Sequence, residues 1–227
     1  MNGWMNGISR ITLAAGACLA LLAGPAFAQS EQQKLVTEAE KTLSNFLRDP
    51  EMKWLQNNIG RAKAVLIAPE IAKAGFIIGG SGGRGVLLAR DASGKWAGPA
   101  FYTLATASVG FQAGVSVSEV ITLVMTDKGV NAMLSSSFKF GGDVSVAAGP
   151  VGAGAQSDIK ADFVTFSRSK GLYGGLNLDG TVVSTNDEWN STFYGKKVLP
   201  PDILVRMNVK NPQADKLLAA IAAATKK

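Results

Sequence analysis

The residue types that most often carry chemistry are scarce in this chain. Histidine is absent from all 227 residues, and the one cysteine is Cys18. Losing imidazole removes the commonest general base and metal ligand, and with Cys18 inside an N-terminal segment expected to be cleaved, neither Cys/His nucleophilic sites nor ordinary zinc sites can be assembled. Carboxylate chemistry remains, and Asp143, Asp158, Asp162 and Asp179 are the acids a hydrolase would draw on. They stand singly, in the manner of turn and cap residues, with no paired acid and no orienting base. The expectation is a protein that is not an enzyme and uses no cofactor or metal.

A second chemical signal is Gly80-Ser-Gly-Gly-Arg-Gly85, which fits the G-x-G-x-x-G pattern of a dinucleotide site. That pattern works only where the glycines open a helix and an acid follows about 20 residues on to hold the ribose. Here they run into Val86-Leu87-Leu88, a strand-like segment, and no carboxylate stands near Ala105. The stretch from Ala74 to Arg90 therefore reads as a hairpin whose glycines form the turn, with Arg84 held there as a cation.

The remaining candidates are cations. Lys34, Lys41 and Arg48 fall in an N-terminal helical segment, and Lys53, Arg61, Lys63 and Lys73 follow it, with Trp54 among them. Together with Arg84 they form the candidate lipid-binding set, since basic side chains beside an exposed aromatic suit an anionic headgroup region. The bland alternative is a solvated face.

These side chains need elements to hold them. Apolar Leu35, Ala39, Leu43, Phe46 and Leu47 recur at helical spacing from Glu31 to Asp49, which predicts an amphipathic helix ended by Pro50. A short helical turn is expected over 52–59. From Phe76 onward the texture is strand-like: Val86–Arg90 and Phe101–Thr106 flank a turn at Asp91–Lys95, and Val109–Val117, Val120–Met125, Phe138–Ala148, Lys160–Ser167 and Leu172–Leu178 follow. Both alternating sets of 160–167 carry apolar groups, so that strand is expected to be covered on both faces. Asp127 is the expected cap of a short helix over 128–134, weakened by Gly129, and Asn211-Pro212 opens a last helix over 213–224. Asn190-Ser191-Thr192 has the form of a glycosylation sequon and is read as a polar turn. The order of elements gives one α+β domain: an antiparallel multi-stranded sheet or barrel-like core with N-terminal helices and a C-terminal helix.

The first 28 residues are expected to lie outside that domain. Arg10 is their only charge, an apolar run from Ile11 to Gly24 follows, and Pro25-Ala-Phe-Ala28 ends it in an A-x-A site. This is the pattern of a secretory signal peptide cleaved after Ala28, which is favoured over lipidation at Cys18 because Ala15-Gly-Ala17 makes a poor lipobox. Cleavage would lower the formal charge from +6 to +5 and leave a domain over 29–227 without cysteine. The basic surplus suits an anionic partner, and with export a phospholipid surface suits it better than nucleic acid.

The motifs, taken in order, carry a resemblance. Lys73-Ala-Gly-Phe76, Gly79-Gly-Ser-Gly-Gly-Arg-Gly85, Gly94-Lys-Trp96 with Pro99, Gly110-Phe-Gln-Ala-Gly114, the run from Gly141 to Gly152, Ser169-Lys-Gly-Leu-Tyr-Gly-Gly175, Leu178-Asp-Gly180 and Phe193-Tyr194 resemble the SYLF domain. The resemblance covers roughly 34–224 and implies binding to acidic phospholipids through the N-terminal amphipathic helix and nearby basic residues, with Leu43, Phe46, Leu47 and Trp54 entering the interface. In an exported bacterial member it implies a periplasmic or outer-membrane-associated lipid-binding module. A protein-interaction or scaffold role in the cell envelope stands as the alternative.

Overall fold

The computed structural model describes residues 29–75, 78–109, 114–152, 159–169, 172–173 and 178–226. The expected leader with Cys18, Asp158, and parts of the expected strands 109–117 and 172–178 lie outside the described residues. Helix α1 spans Glu31–Arg48, as its periodicity predicts, and its buried stripe includes Val36, Ala39, Leu43 and Phe46. It stops at Asp49, whose side chain accepts from the backbone N–H of Glu51 at 3.0 Å, with Pro50 opening a single 3-10 turn. Helix α2, Lys53–Asn58, follows at once.

The chain then enters four long strands: β1 Ala64–Gly75, β2 Ile78–Arg90, β3 Trp96–Val109 and β4 Gly114–Val124. After helix α3, Asp127–Met133, come β5 Ser137–Lys139, β6 Val146–Ala148, β7 Phe163–Ser169, β8 Leu172–Tyr173 and β9 Val182–Thr185. Helices α4 Asp187–Tyr194, α5 Pro200–Leu204 and α6 Asp215–Ala224 complete the domain. The sheet order is β5-β9-β3-β2-β1-β4-β7-β6, with β8 pairing to β7. All pairs are antiparallel except β6 with β7, so the sheet is mixed where an antiparallel one is expected.

Glycines 79–85 do not form the turn. They lie inside β2, paired on one side with β1 and on the other with β3. The reason is a bulge in β1. Ile67 faces Val86 and Glu70 faces Arg84, so β1 carries one extra residue there, and the β1–β4 ladder shifts at the same place. Pro69 sits in it, and a proline in a central strand needs such a break because it cannot donate to the ladder. The bulge presses on β2: a Cβ at Gly83 would stand 2.1 Å from the Glu70 carbonyl oxygen, and one at Gly85 would stand 2.9 Å from that of Ile67.

Alternation along the strands loads two cores. Val65, Ile67, Val86, Leu88, Ile121, Leu123 and Phe166 point to an outer face roofed by α1, α2, α4 and α6. Leu66, Leu87, Tyr102, Leu104, Val120 and Phe163 point to an inner face closed by α3 and α5. Phe163 through Ser167 are all buried, so β7 is covered on both faces as expected. The sheet curls on itself. Phe138 of edge strand β5 stacks on Phe163 of β7 with ring centroids 5.7 Å apart, and Phe140 meets Phe163 edge-on at 4.9 Å.

Local details correct the expected ones. Thr126, not Asp127, caps α3 by accepting from the Gly129 N–H at 3.1 Å. Gly129 is a packing requirement, since a Cβ there would stand 2.8 Å from Val124 Cγ1. Tyr102 donates to the Met133 carbonyl at 2.5 Å and so ties α3 to β3, and burial holds its phenol well above its ordinary range. Asn190 belongs to α4 and is fully buried, its Oδ1 accepting from the Phe101 N–H at 2.8 Å, so the sequon is a structural bridge and not a polar turn. Asn211 accepts from the Gln213 N–H at 2.9 Å, as its place before Pro212 predicts.

Replacing Gly83 by alanine should cost about 1–3 kcal/mol, the usual effect of forcing atoms into a packed site. Gly142→Ala is the control, because a Cβ there meets nothing closer than 3.7 Å. Urea denaturation should show a lowered midpoint for the first variant and an unchanged one for the second. Equal midpoints would mean that the bulge does not constrain β2.

Candidate functional site

The structure divides the candidate lipid-binding residues into three groups. Lys34, Lys41 and Arg48 recur every seven residues and share one stripe of α1. Two of them are paired within the helix: Lys34 Nζ lies 2.9 Å from Glu31 and Lys41 Nζ 3.8 Å from Glu38. Glu31 is held below its ordinary range chiefly by the hydrogen bond from Lys34. This stripe is a charge-balanced, solvated face more than a basic one.

The apolar face of α1 is committed to the outer core. Leu43 and Phe46 are fully buried and Leu47 packs against the same cluster. Trp54, expected to be exposed, is only 7% exposed, with its ring centroid 5.8 Å from that of Phe166. In this fold Leu43, Phe46 and Trp54 are not presented to an interface, because the sheet's outer face needs their area, and Leu47 is half-buried against the same cluster. A partly buried ion network fixes the helix further. Arg168 of β7 binds Glu119 of β4 and lies 3.6 Å from Asp49, while Thr42 donates to Glu119 at 3.0 Å.

Lys73 and Arg84 form the second group. Arg84 sits in mid-strand, not at a turn, and its guanidinium lies 4.5 Å from the centre of the Trp189 ring on α4. Its neighbours Gly83 and Gly85 face the inner side, which sends Arg84 outward. Lys73 stands opposite Ser81 and Ser116, ten residues along from Lys63. A strand rises about 3.3 Å per residue, which places the two lysines roughly 30 Å apart.

The third group, Lys53, Arg61 and Lys63, runs from the start of α2 to the start of β1. Lys53 is exposed, Arg61 is exposed and donates to Asn58 at 2.9 Å, and Lys63 Nζ lies 2.7 Å from Asp127. Here the structure adds residues outside the candidate lipid-binding set. Arg61 shares a cleft of about 370 Å³ with Met125, Thr126, Ser145 and the segment Ile159–Asp162. Lys160 on its rim is exposed, and Lys128 Nζ lies 3.7 Å from Asp162.

Asp162 organises this cleft. Its Oδ1 accepts from the Thr126 hydroxyl at 2.5 Å, and its Oδ2 accepts from the N–H and the hydroxyl of Ser145, both at 2.9 Å. Burial alone would raise its pKa, but these hydrogen bonds, with the charge of Lys128, outweigh burial and hold it below the ordinary carboxylate range. Asp143 accepts from the Lys139 N–H at 2.7 Å, as a turn residue does. Among the described residues no cluster of acids is placed to hold a metal, and no helix is long and apolar enough to cross a membrane.

Comparison with known proteins gives consistent matches. The family described as "Ysc84: Las17-binding protein actin regulator" matches residues 105–224. SH3 domain-containing YSC84-like protein 1 of Bos taurus is 31% identical over 174 residues, which is 74% of this chain and 51% of that protein. Protein YSC84 of Saccharomyces cerevisiae is 32% identical over 165 residues, 70% of this chain and 35% of that protein. LAS seventeen-binding protein 3 of the same species is 31% identical over 168 residues, 71% of this chain and 36% of that protein. The chain thus spans about half or less of the length of these relatives. Their names describe a domain or a binding partner, and none names a reaction.

Replacing Asp162 by asparagine would set an amide N–H₂ against donors at Thr126 or Ser145. The expected cost is about 1–3 kcal/mol at neutral pH, that of stranding buried donors. Because the folded-state pKa is lowered, this stabilisation is present above the unfolded-state value and is lost as pH falls through the folded one. The gap between native protein and D162N, measured by urea denaturation, should therefore narrow below about pH 4. A gap that is constant with pH would show that the carboxylate charge is not involved.

Proposed function

This chain belongs to the Ysc84, or SYLF-domain, family, and from that premise we propose that it is a non-enzymatic module that binds anionic phospholipid surfaces. The observation that carries the proposal is the charge at the α1–β1 connection. Arg48, Lys53 and Arg61 are all exposed there, and among the described residues they have no ion-pair partner, in contrast to Lys34 and Lys41. Unpaired cations near an anionic surface each contribute about 1 kcal/mol of attraction. The protein's basic surplus acts in the same direction at longer range. With the apolar face of α1 buried in the outer core, the attachment is peripheral and electrostatic, not an insertion of that helix.

The leader-like first 28 residues support export, and we place the protein in the periplasm or at the outer membrane of a bacterial cell envelope. A second reading, binding to a protein partner, is favoured by two observations. Relatives carry names such as LAS seventeen-binding protein 3. Val115 and Val117 are also 77% and 38% exposed, beside exposed Ala72 and Ala74 in register on β1. Pull-down of one stoichiometric partner, without lipid retention, would select that reading.

Sedimentation with vesicles tests the first reading. Binding should rise with the phosphatidylglycerol content of phosphatidylcholine vesicles. It should fall steeply as salt shortens the Debye length from about 30 Å at 0.01 M to about 8 Å at 0.15 M. Indifference to both variables would refute an electrostatic lipid-binding role.

A further inference from the structure

We propose that the cleft between Arg61 and Lys160 is a binding site for a phosphate-bearing anion, a phosphodiester or phosphomonoester linked to a small glycerol-like group. This inference rests on the anionic-lipid reading and assigns it a site. The cleft's volume of about 370 Å³ lies within the range of about 300–1,000 Å³ usual for small-ligand pockets.

Its charge is unbalanced in the required sense. Arg61 and Lys160 line it with a single carboxylate, that of Asp162, and Lys128, which is not among the lining residues, lies 3.7 Å from that carboxylate. The Asp162 oxygens are occupied by the hydroxyl of Thr126 and by the N–H and hydroxyl of Ser145. That carboxylate therefore shapes the floor and fixes Ser145 and Thr126, leaving Arg61 and Lys160 for an incoming anion. Lys63, the next cation along the chain, is already matched by Asp127 at 2.7 Å.

Arg61 is not answered by an acid among the described residues, as Lys34 is by Glu31, Lys41 by Glu38 and Arg206 by Asp202. Arg61 spends one donor on Asn58 Oδ1 at 2.9 Å, which fixes the guanidinium and leaves further N–H groups for a phosphate fork. Lys160 has no ion-pair partner among the described residues. Half-buried Met125 and Ile159 line the same cleft and give an apolar wall against which carbon atoms next to the phosphate can lie. Sequence reasoning could not assemble this set, because Arg61 and Lys160 are 99 positions apart.

The test uses the chain from Gln29 onward, its R61Q/K160Q double variant, and K34Q/K41Q as comparator. Amide NMR titration with glycerol 3-phosphate should shift Arg61, Ser145 and Lys160 saturably in native protein and comparator, and not in the double variant. On phosphatidylglycerol vesicles the double variant should bind about thirtyfold more weakly, the effect of losing two headgroup contacts of about 1 kcal/mol each. K34Q/K41Q should stay within about threefold of the native protein on the same vesicles. All substituted side chains are exposed, and K160Q alone should give an intermediate result should the double variant unfold.

Saturable glycerol-phosphate binding with unchanged vesicle binding in the double variant would support the site and assign it a free phosphate compound. Vesicle binding by the native protein, with no saturable shift at the cleft and no loss in the double variant, would overturn the site and leave the lipid reading standing. Absence of vesicle binding by the native protein, with glycerol phosphate still saturating the cleft, would overturn the lipid reading and keep the phosphate site.

Discussion

Between Ile67 and Glu70 strand β1 carries one residue more than the strands on either side of it. Pro69 in a strand paired on both sides forces this break, and the rest of the sheet adapts to it. A bulge bends its strand and increases the local twist, and here it falls halfway along the strand from which β2 and β4 diverge. The glycines of β2 are its counterpart, since only a residue without a side chain fits against the Glu70 and Ile67 carbonyls. The curl that follows lets an edge strand, β5, reach back to β7, where Phe138, Phe140 and Phe163 close the inner core.

Two cores on one sheet have a consequence for function. Covering the outer face takes the apolar stripes of α1 and α6 together with Trp54 and Leu55, so the groups that look most membrane-like in sequence are structural. What remains for recognition is charge, and the fold sorts it. Lys34 and Lys41 are matched by acids one turn away on α1 and Arg84 is stacked on Trp189, whereas Arg61 and Lys160 meet at one cleft with no ion-pair partner among the described residues. Position in the fold, more than the total of +6, decides which cations can act.

Much of the architecture was legible from local pattern. The α1 stripe, the Pro50 stop, the Asn211-Pro212 start and the doubly covered β7 all follow from spacing and cap chemistry within a few residues. The misreadings share a cause. Gly80 to Gly85 resemble a turn because the bulge that demands them lies on another strand, and Asn190 resembles a surface turn because its partner, the Phe101 backbone, is 89 positions away. Trp54 resembles an interfacial anchor until Phe166 is placed beneath it. The candidate cleft was half legible: Arg61 and Lys63 stand out as cations before a strand, whereas Lys160, Lys128 and the role of Asp162 depend on contacts between distant segments.

The central claim is that anionic surfaces are met by the unpaired cations around the Arg61 cleft and not by the face of α1. Covalent labelling of lysines, read by mass spectrometry with and without phosphatidylglycerol vesicles, tests it most directly. The account predicts that Lys53 and Lys160 become protected on the vesicles while Lys34 and Lys41 label as fast as in free protein. Protection of Lys34 and Lys41 with Lys160 unchanged would contradict it.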